Sequence, residues 1–178
     1  MKFSSQEEYG LRCLLRLARA ESGNSLTITG ISEAEGISVP HVAKLMRILR
    51  RGGFVKSIRG QAGGYTLARP PERILVGEVL AVLGGRLFEP GFCDRHTGTV
   101  DSCANPVECS VRTLWNAVQR AVDVVLGRTT LQDLLGTAEE MMKREKDMLN
   151  ELDRQSNPLL SGGSIVNIIS YGAGELKT

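Results

Sequence analysis

Glycines at positions 23, 36, 52, 53, 60, 63 and 64 cut the stretch behind the first helix into short pieces. Each piece is long enough for one small helix or one strand and no more. Ahead of the first break, Ser4 or Ser5 followed by Glu7 and Glu8 marks a capped helix start, and Leu11, Leu14, Leu15 and Ala18 recur at helical spacing to about Ala20. Thr27 opens a second helix that carries Ile28, Ile31 and Ala34 and stops at Gly36. Ser38 caps a third, with Pro40 in its first turn and Val42, Leu45, Met46 and Leu49 forming one apolar stripe. Gly52-Gly53 ends that helix. Residues 54–59 and 65–67 then read as two strands around Gly60-Gln61-Ala62-Gly63-Gly64. Helix, turn, helix and hairpin in this order predict a winged helix-turn-helix, mainly α with a small β-hairpin.

Charge is distributed to match. Residues 1–75 hold 12 Lys and Arg against 6 Asp and Glu, so a formal net charge of only +2 for the whole chain hides a basic first half and an acidic second. Between Gly36 and Pro71 there is no acidic residue, whereas Lys44, Arg47, Arg50, Arg51, Lys56, Arg59 and Arg69 all lie there. Such a run is the electrostatic footprint of a phosphate backbone. The outward face of the third helix offers Ser38, His41, Lys44, Arg47 and Arg51 to a DNA groove. In the hairpin, Arg59, Gly60 and Gln61 offer an arginine for a narrow minor groove, backbone that can approach a phosphate, and a further polar contact. Any one of these residues taken singly is equally well a solvated surface group. As an ordered set they point to double-stranded DNA.

Beyond Pro70-Pro71 comes a helix of about Val76 to Leu83, then a long loop from Gly84 to Cys109. Three of the chain's four cysteines, Cys93, Cys103 and Cys109, fall in that loop at spacing C-x9-C-x5-C. Convergent thiolates suit iron or zinc. Cys109 sits where the next helix begins, and the free N–H groups of a helix start favour a thiolate. Cys13, among the leucines of the first helix, reads as a small buried hydrophobe. From Ser110 a long amphipathic helix carries Val111, Leu114, Trp115, Val118, Val122, Val125 and Leu126, a broad apolar face suited to a dimer interface. A short segment at 131–135 and a charged helix from Ala138 to about Arg154 follow, then a Gly/Ser-rich stretch with one apolar run at 165–169. The expected organisation is a DNA-binding domain over 1–75, cysteine loop and dimerisation helices over 76–155, and a flexible tail over 156–178.

Several classes drop out. With two histidines, no phosphate loop and no nucleophile motif, the chain lacks the apparatus of an enzyme. No run of eighteen apolar residues exists, and the first twenty residues lack a signal-peptide core, so a soluble cytoplasmic protein without membrane attachment is expected.

The segment from Ile37-Ser38 through Arg50, with Arg59-Gly60-x-x-Gly63-Gly64-Tyr65 behind it and the cysteine trio downstream, resembles the family of IscR-like winged-helix regulators. That family includes the iron–sulfur cluster regulator and the nitric-oxide-sensing repressor NsrR. The resemblance runs from Met1 to about Leu135. It implies a homodimer whose long helices cross, two winged modules on a palindromic operator, and an iron–sulfur cluster, 4Fe-4S or 2Fe-2S, on the three loop cysteines near the dimer interface.

Three cysteines leave one ligand position to fill. Relatives that use a histidine just after the third cysteine have no counterpart here, because Cys109 is followed by Ser110-Val111-Arg112. Others use an acidic residue near the start of the partner's first helix, and the matching position is Glu8. The structural alternative for Glu8 is an ion pair with Arg12, four residues on. His96 is the other candidate: Cys93-x-x-His96 has metal-ligand spacing, and Cys93, His96, Cys103 and Cys109 together describe a closed structural zinc site. A winged-helix regulator with zinc or metal-free thiols, controlled instead by a partner protein, is the competing expectation.

Overall fold

The computed structural model describes residues 4–20, 24–60, 63–86, 88, 91–95 and 109–156. The chain divides into two compact units, Met1–Leu135 and Gly136–Thr178.

The first unit opens with α1, Ser5–Arg19. Ser4 and Glu7 cap it reciprocally: the Glu7 backbone N–H donates to the Ser4 hydroxyl while the Ser4 N–H donates to the Glu7 carboxylate at 2.7 Å. Helix α2, Ile28–Glu35, is capped by Thr27 and closed by Gly36 at φ 66°, where a Cβ would be strained. That left-handed step turns the chain directly into α3, Val39–Arg51. Ser38 occupies the N-cap position as expected, but its side chain makes no capping hydrogen bond.

Strands β1, Val55–Ile58, and β2, Gly64–Leu67, pair antiparallel with Val55 opposite Leu67 and Ile58 opposite Gly64. Both are slightly displaced from the sequence-based bounds. A third backbone segment joins the hairpin: Leu26 and Tyr65 exchange N–H···O bonds of 3.0 and 2.8 Å. The rung fastens the wing to the turn before α2.

Helix α4 spans Val76–Leu83. Inside the expected loop from Gly84 to Cys109 lies a short helix, α5, Phe92–Arg95, followed after the loop by α6, Ser110–Leu126. The chain leaving α6 returns to the start of α4, where Val76 N–H meets the Thr129 carbonyl and Leu131 N–H meets that of Ile74, at 2.9 and 2.8 Å. A glycine at 77 lets the helices come close, since a Cβ there would lie 3.2 Å from the Leu126 carbonyl oxygen.

One core joins α1 to α4, the start of the hairpin and Leu131. Cys13, Leu14, Leu17, Ile31, Val42, Leu45, Met46, Leu49, Phe54, Ile74, Val79, Leu83 and Leu131 are buried together. Each large member contributes about 1.5–3 kcal/mol by leaving water. The apolar stripe of α3 is therefore spent on the core, and its basic side is left outward.

In the second unit α7 runs Ala138–Ser156, two residues beyond the expected end. Thr137 and Glu140 cap it reciprocally at 3.2 and 2.8 Å. Met142 on this helix is 57% exposed. No helix among the described residues is long and apolar enough to cross a membrane.

Candidate nucleic-acid interface and thiolate site

Burial of Val42, Leu45, Met46 and Leu49 fixes the rotation of α3 about its own axis. The residues a major groove would meet follow from that rotation. Ser38, Lys44, Arg47, Arg50 and Arg51 are exposed, and on the hairpin Lys56, Arg59 and Gly60 are exposed as well. Gly60 has φ 110°, a conformation that favours glycine, and the Gly63 N–H closes the turn onto its carbonyl at 2.9 Å. Gln61 lies outside the described residues.

Two residues of the basic run also make contacts within the fold. His41 is half-buried, its ring meeting that of Tyr9 nearly at right angles, 75° between planes and 5.4 Å between centroids. Arg69 is drawn away from the footprint, because its guanidinium pairs with Glu78 at 2.7 Å and sits 5.1 Å from the Phe54 ring centroid. The cation in 36–71 furthest along the chain thus braces the wing against α4.

Behind α3, Glu35 at the end of α2 receives Arg12 Nε at 3.0 Å and Arg16 Nε at 2.8 Å. Arg12 also donates to the Glu35 carbonyl at 2.6 Å. Burial pushes the Glu35 carboxyl up, but the hydrogen bonds from Arg16 and Arg12 outweigh it and leave the group below its usual range. Arg12 is therefore not the partner of Glu8, which is exposed on α1 and makes no ion pair among the described residues. The alternative placed on Glu8 in the sequence, pairing with Arg12 one turn away, does not form.

Cys109 is the N-cap of α6, and its Sγ accepts the Arg112 N–H at 3.4 Å. Cys93, on α5, lines a cleft of about 670 Å3 shared with Phe88, Phe92, Arg112, Asn116 and Arg120. Both are half-buried free thiols. Cys103 and His96 lie outside the described residues, and among the described residues no group of three or more His, Cys, Asp or Glu is arranged to hold a metal. The donor chemistry nonetheless suits iron or zinc: soft sulfur at a helix start, sulfur beside a partly apolar cleft, and cations near both. Cys13 differs. Burial first, then the Glu35 charge, pushes its thiol up to about 12 against the opposing pull of Arg12, so it is a neutral core residue.

Helix α6 also holds the start of the cysteine loop. Gln119, 7% exposed, is its one buried residue: its side-chain oxygen accepts the Phe88 N–H at 2.8 Å, and its amide donates to Asp123 at 2.9 Å. Asp123 also pairs with Arg86. This polar chain anchors the beginning of the cysteine loop to the middle of α6. Pattern reading passes over it because one glutamine within an apolar helix carries no motif. The Tyr9 contact with His41 is equally silent in the sequence, because an aromatic residue on an amphipathic helix signals packing in general and no particular partner. Elsewhere along α6, Val111, Leu114, Trp115 and Val125 remain 56, 57, 45 and 36% exposed.

Residues 3–137 match the family profile described as Rrf2, iron-dependent transcriptional regulator. The chain is 36% identical over 138 residues to protein rrf2 of Nitratidesulfovibrio vulgaris, a span of 78% of this chain and 89% of the relative. It is 34% identical over 140 residues to the transcriptional regulator IscR of Cereibacter sphaeroides, 76% of this chain and 87% of the relative. Among solved structures it is similar to CymR, the global cysteine regulator of Bacillus subtilis, with TM-score 0.61 and 31% identity over 76% of this chain and 96% of CymR.

Proposed function

Because the chain belongs to the Rrf2 family of DNA-binding transcriptional regulators, we propose that it senses iron, redox state or nitric oxide through an iron–sulfur cluster on Cys93, Cys103 and Cys109. Its relatives are regulators and not enzymes. In this reading a homodimer acts on a palindromic operator in the cytoplasm. Residues 1–75 read DNA, 76–155 carry the thiols and the dimer helices, and 156–178 form a tail.

The observation that carries the reading is the double use of α6. Its N-cap is Cys109, and its outward side leaves four large apolar side chains without cover. Covering them with the same face of a second copy removes that exposed patch. Thiolate binding at one end of α6 then acts on the helix that sets the distance between the two DNA readers.

On each reader Ser38, His41, Lys44, Arg47 and Arg51 face the major groove, with Arg59, Gly60 and Gln61 on the wing. Cys93 and Cys103 gather the loop, Cys109 ties it to α6, and Glu8 of the partner subunit fills the fourth position, with His96 as the other choice. When bound, the cluster supplies a crosslink among thiolates that oxidants or nitric oxide dismantle. Held together, the three thiols restrain residues 84–109 against the start of α6. Released, they remove that restraint. Regulation follows only if the two states differ in operator affinity, about 1.4 kcal/mol for each tenfold.

The deciding experiment is anaerobic purification, with a visible spectrum and iron, acid-labile sulfide and zinc measured per chain. A brown protein with matching iron and sulfide, binding its operator differently with and without the cluster, is expected. A colourless protein with one zinc per chain replaces the cluster by a structural site. Equal affinities in both states reject the sensor.

One observation favours a second reading. Helix α7 extends beyond the family match and exposes Met142, a surface for a partner protein that controls the regulator. Operator binding indifferent to metal but altered by removing residues 138–178 is its signature.

A further inference from the structure

We infer that Tyr9 is a positioning residue that sets the orientation of His41 on α3 and through it the base preference of the DNA reader. The inference rests on the reading that α3 enters the major groove. It gives a role to a half-buried residue of α1, outside the helix that enters the groove.

His41 differs from the other outward residues of α3. Lys44, Arg47 and Arg51 are exposed and reach into solvent on flexible stems, whereas His41 is half-buried with its ring against Tyr9. A side chain that reads a base edge must be held within about 10–20° of its productive orientation. Backbone geometry of α3 cannot do this alone, because the two side-chain torsions of histidine leave several orientations open. The contact with Tyr9, 5.4 Å between centroids and 75° between planes, restricts them to one.

Tyr9 can impose that restriction because it is itself held. It packs against the core, and the Arg12 guanidinium lies 5.7 Å from its ring centroid. Arg12 is gripped by both the side chain and the carbonyl of Glu35, at 3.0 and 2.6 Å. Glu35 is in turn fixed by Arg16 at 2.8 Å. A continuous series of contacts therefore runs from the last residue of α2, across α1, to an outward residue of α3. The DNA-reading histidine is braced from the helix that precedes it in the helix-turn-helix.

The test uses the full-length protein. A pool of randomised duplexes selected by the wild type defines the preferred site, and affinities are then measured for each single base-pair change and for an unrelated duplex. His41→Ala identifies the base pairs that depend on His41. Tyr9→Leu is expected to lose discrimination at those same pairs, roughly three- to tenfold, with binding to the unrelated duplex unchanged. Tyr9→Phe keeps the ring and is expected to behave as wild type, and Tyr9→Leu combined with His41→Ala to be no worse than His41→Ala alone. Wild-type discrimination by Tyr9→Leu, where His41→Ala has lost it, overturns the inference. If His41→Ala changes no base preference, the groove reading of His41 fails first, and the inference with it. Should Tyr9→Leu not fold, Tyr9→Met keeps a flexible apolar side chain against the core while removing the ring, and unaltered discrimination in that variant overturns the inference equally.

Discussion

The Phe88 N–H donates to the side-chain oxygen of Gln119 at 2.8 Å, so the first part of the cysteine loop is hung from the one buried side chain of α6. The bond sits between the thiol carried on α5 and the helix capped by Cys109.

Replacing Gln119 by Ala leaves that N–H without its partner and removes the amide from Asp123, a cost of about 1–3 kcal/mol. Hydrogen exchange followed by mass spectrometry is expected to show faster exchange at 86–95, with α3 unchanged. Equal acceleration in both regions would mean that the bond supports the whole unit and not the loop.

Gly64 faces the backbone of Leu26, where a Cβ would lie 2.5 Å from the carbonyl oxygen. Unlike a flexible side chain, that carbonyl cannot step aside without breaking its bond to the Tyr65 N–H. Gly64→Ala is expected to lose about 1–3 kcal/mol of stability in urea denaturation and to weaken operator binding by displacing the wing. Wild-type values in both measurements would show that the rung is dispensable.

Glu35 predicts a direction of acid sensitivity. Its folded carboxyl titrates below the ordinary 4.5 because the Arg16 and Arg12 hydrogen bonds overcome the effect of burial. The unfolded chain then binds the proton more readily, so the stability due to this group is present above the ordinary value and is lost as pH falls through the folded one. With arginine side chains 39 and 37% exposed, the pair is worth on the order of 1 kcal/mol. Wild type is expected to lead Glu35→Gln in urea midpoint at neutral pH, and the gap to close as pH falls below the ordinary 4.5. A gap independent of pH would place the effect elsewhere.

Cys13 is expected to resist alkylation. Pushed up to about 12 from an ordinary 9.0, it remains a thiol at neutral pH, whereas Cys93 and Cys109 are half-buried and reachable. In metal-free protein treated with iodoacetamide near pH 8, peptide mass mapping should find Cys93 and Cys109 labelled first and Cys13 only after denaturation. The same raised value makes Cys13 a source of alkaline instability, since stability falls as pH rises from 9.0 toward about 12. Early labelling of Cys13 would contradict its burial.

The local architecture was legible in the chain because its signals are local. Gly36 needs only its own positive φ to end α2, Thr27 only the N–H of Gly30, and the stripe Val42, Leu45, Met46, Leu49 only the pitch of a helix. The position of Cys109 at the start of α6 was readable for the same reason. Short-range pattern was misleading where a closer partner in sequence lost to a better one in space. Arg12 has Glu8 one turn away but is taken by Glu35, and Arg69 belongs by composition to the basic run but is held by Glu78 and Phe54.

By itself, the sequence determined the longer helices, where the wing turns, that the basic residues gather on α3 and the hairpin, and which thiol stands at a helix start, but not the short α5. These depend on backbone preference and on periodicity, which act over a few residues. Only the tertiary structure decided that Tyr9 meets His41, that Gln119 holds Phe88, and that Leu26 joins the wing at Tyr65. Those pairs are 32, 31 and 39 residues apart in the chain. Contacts at that separation form only once the shared core has set the distance and rotation of the helices, and no single residue type announces them.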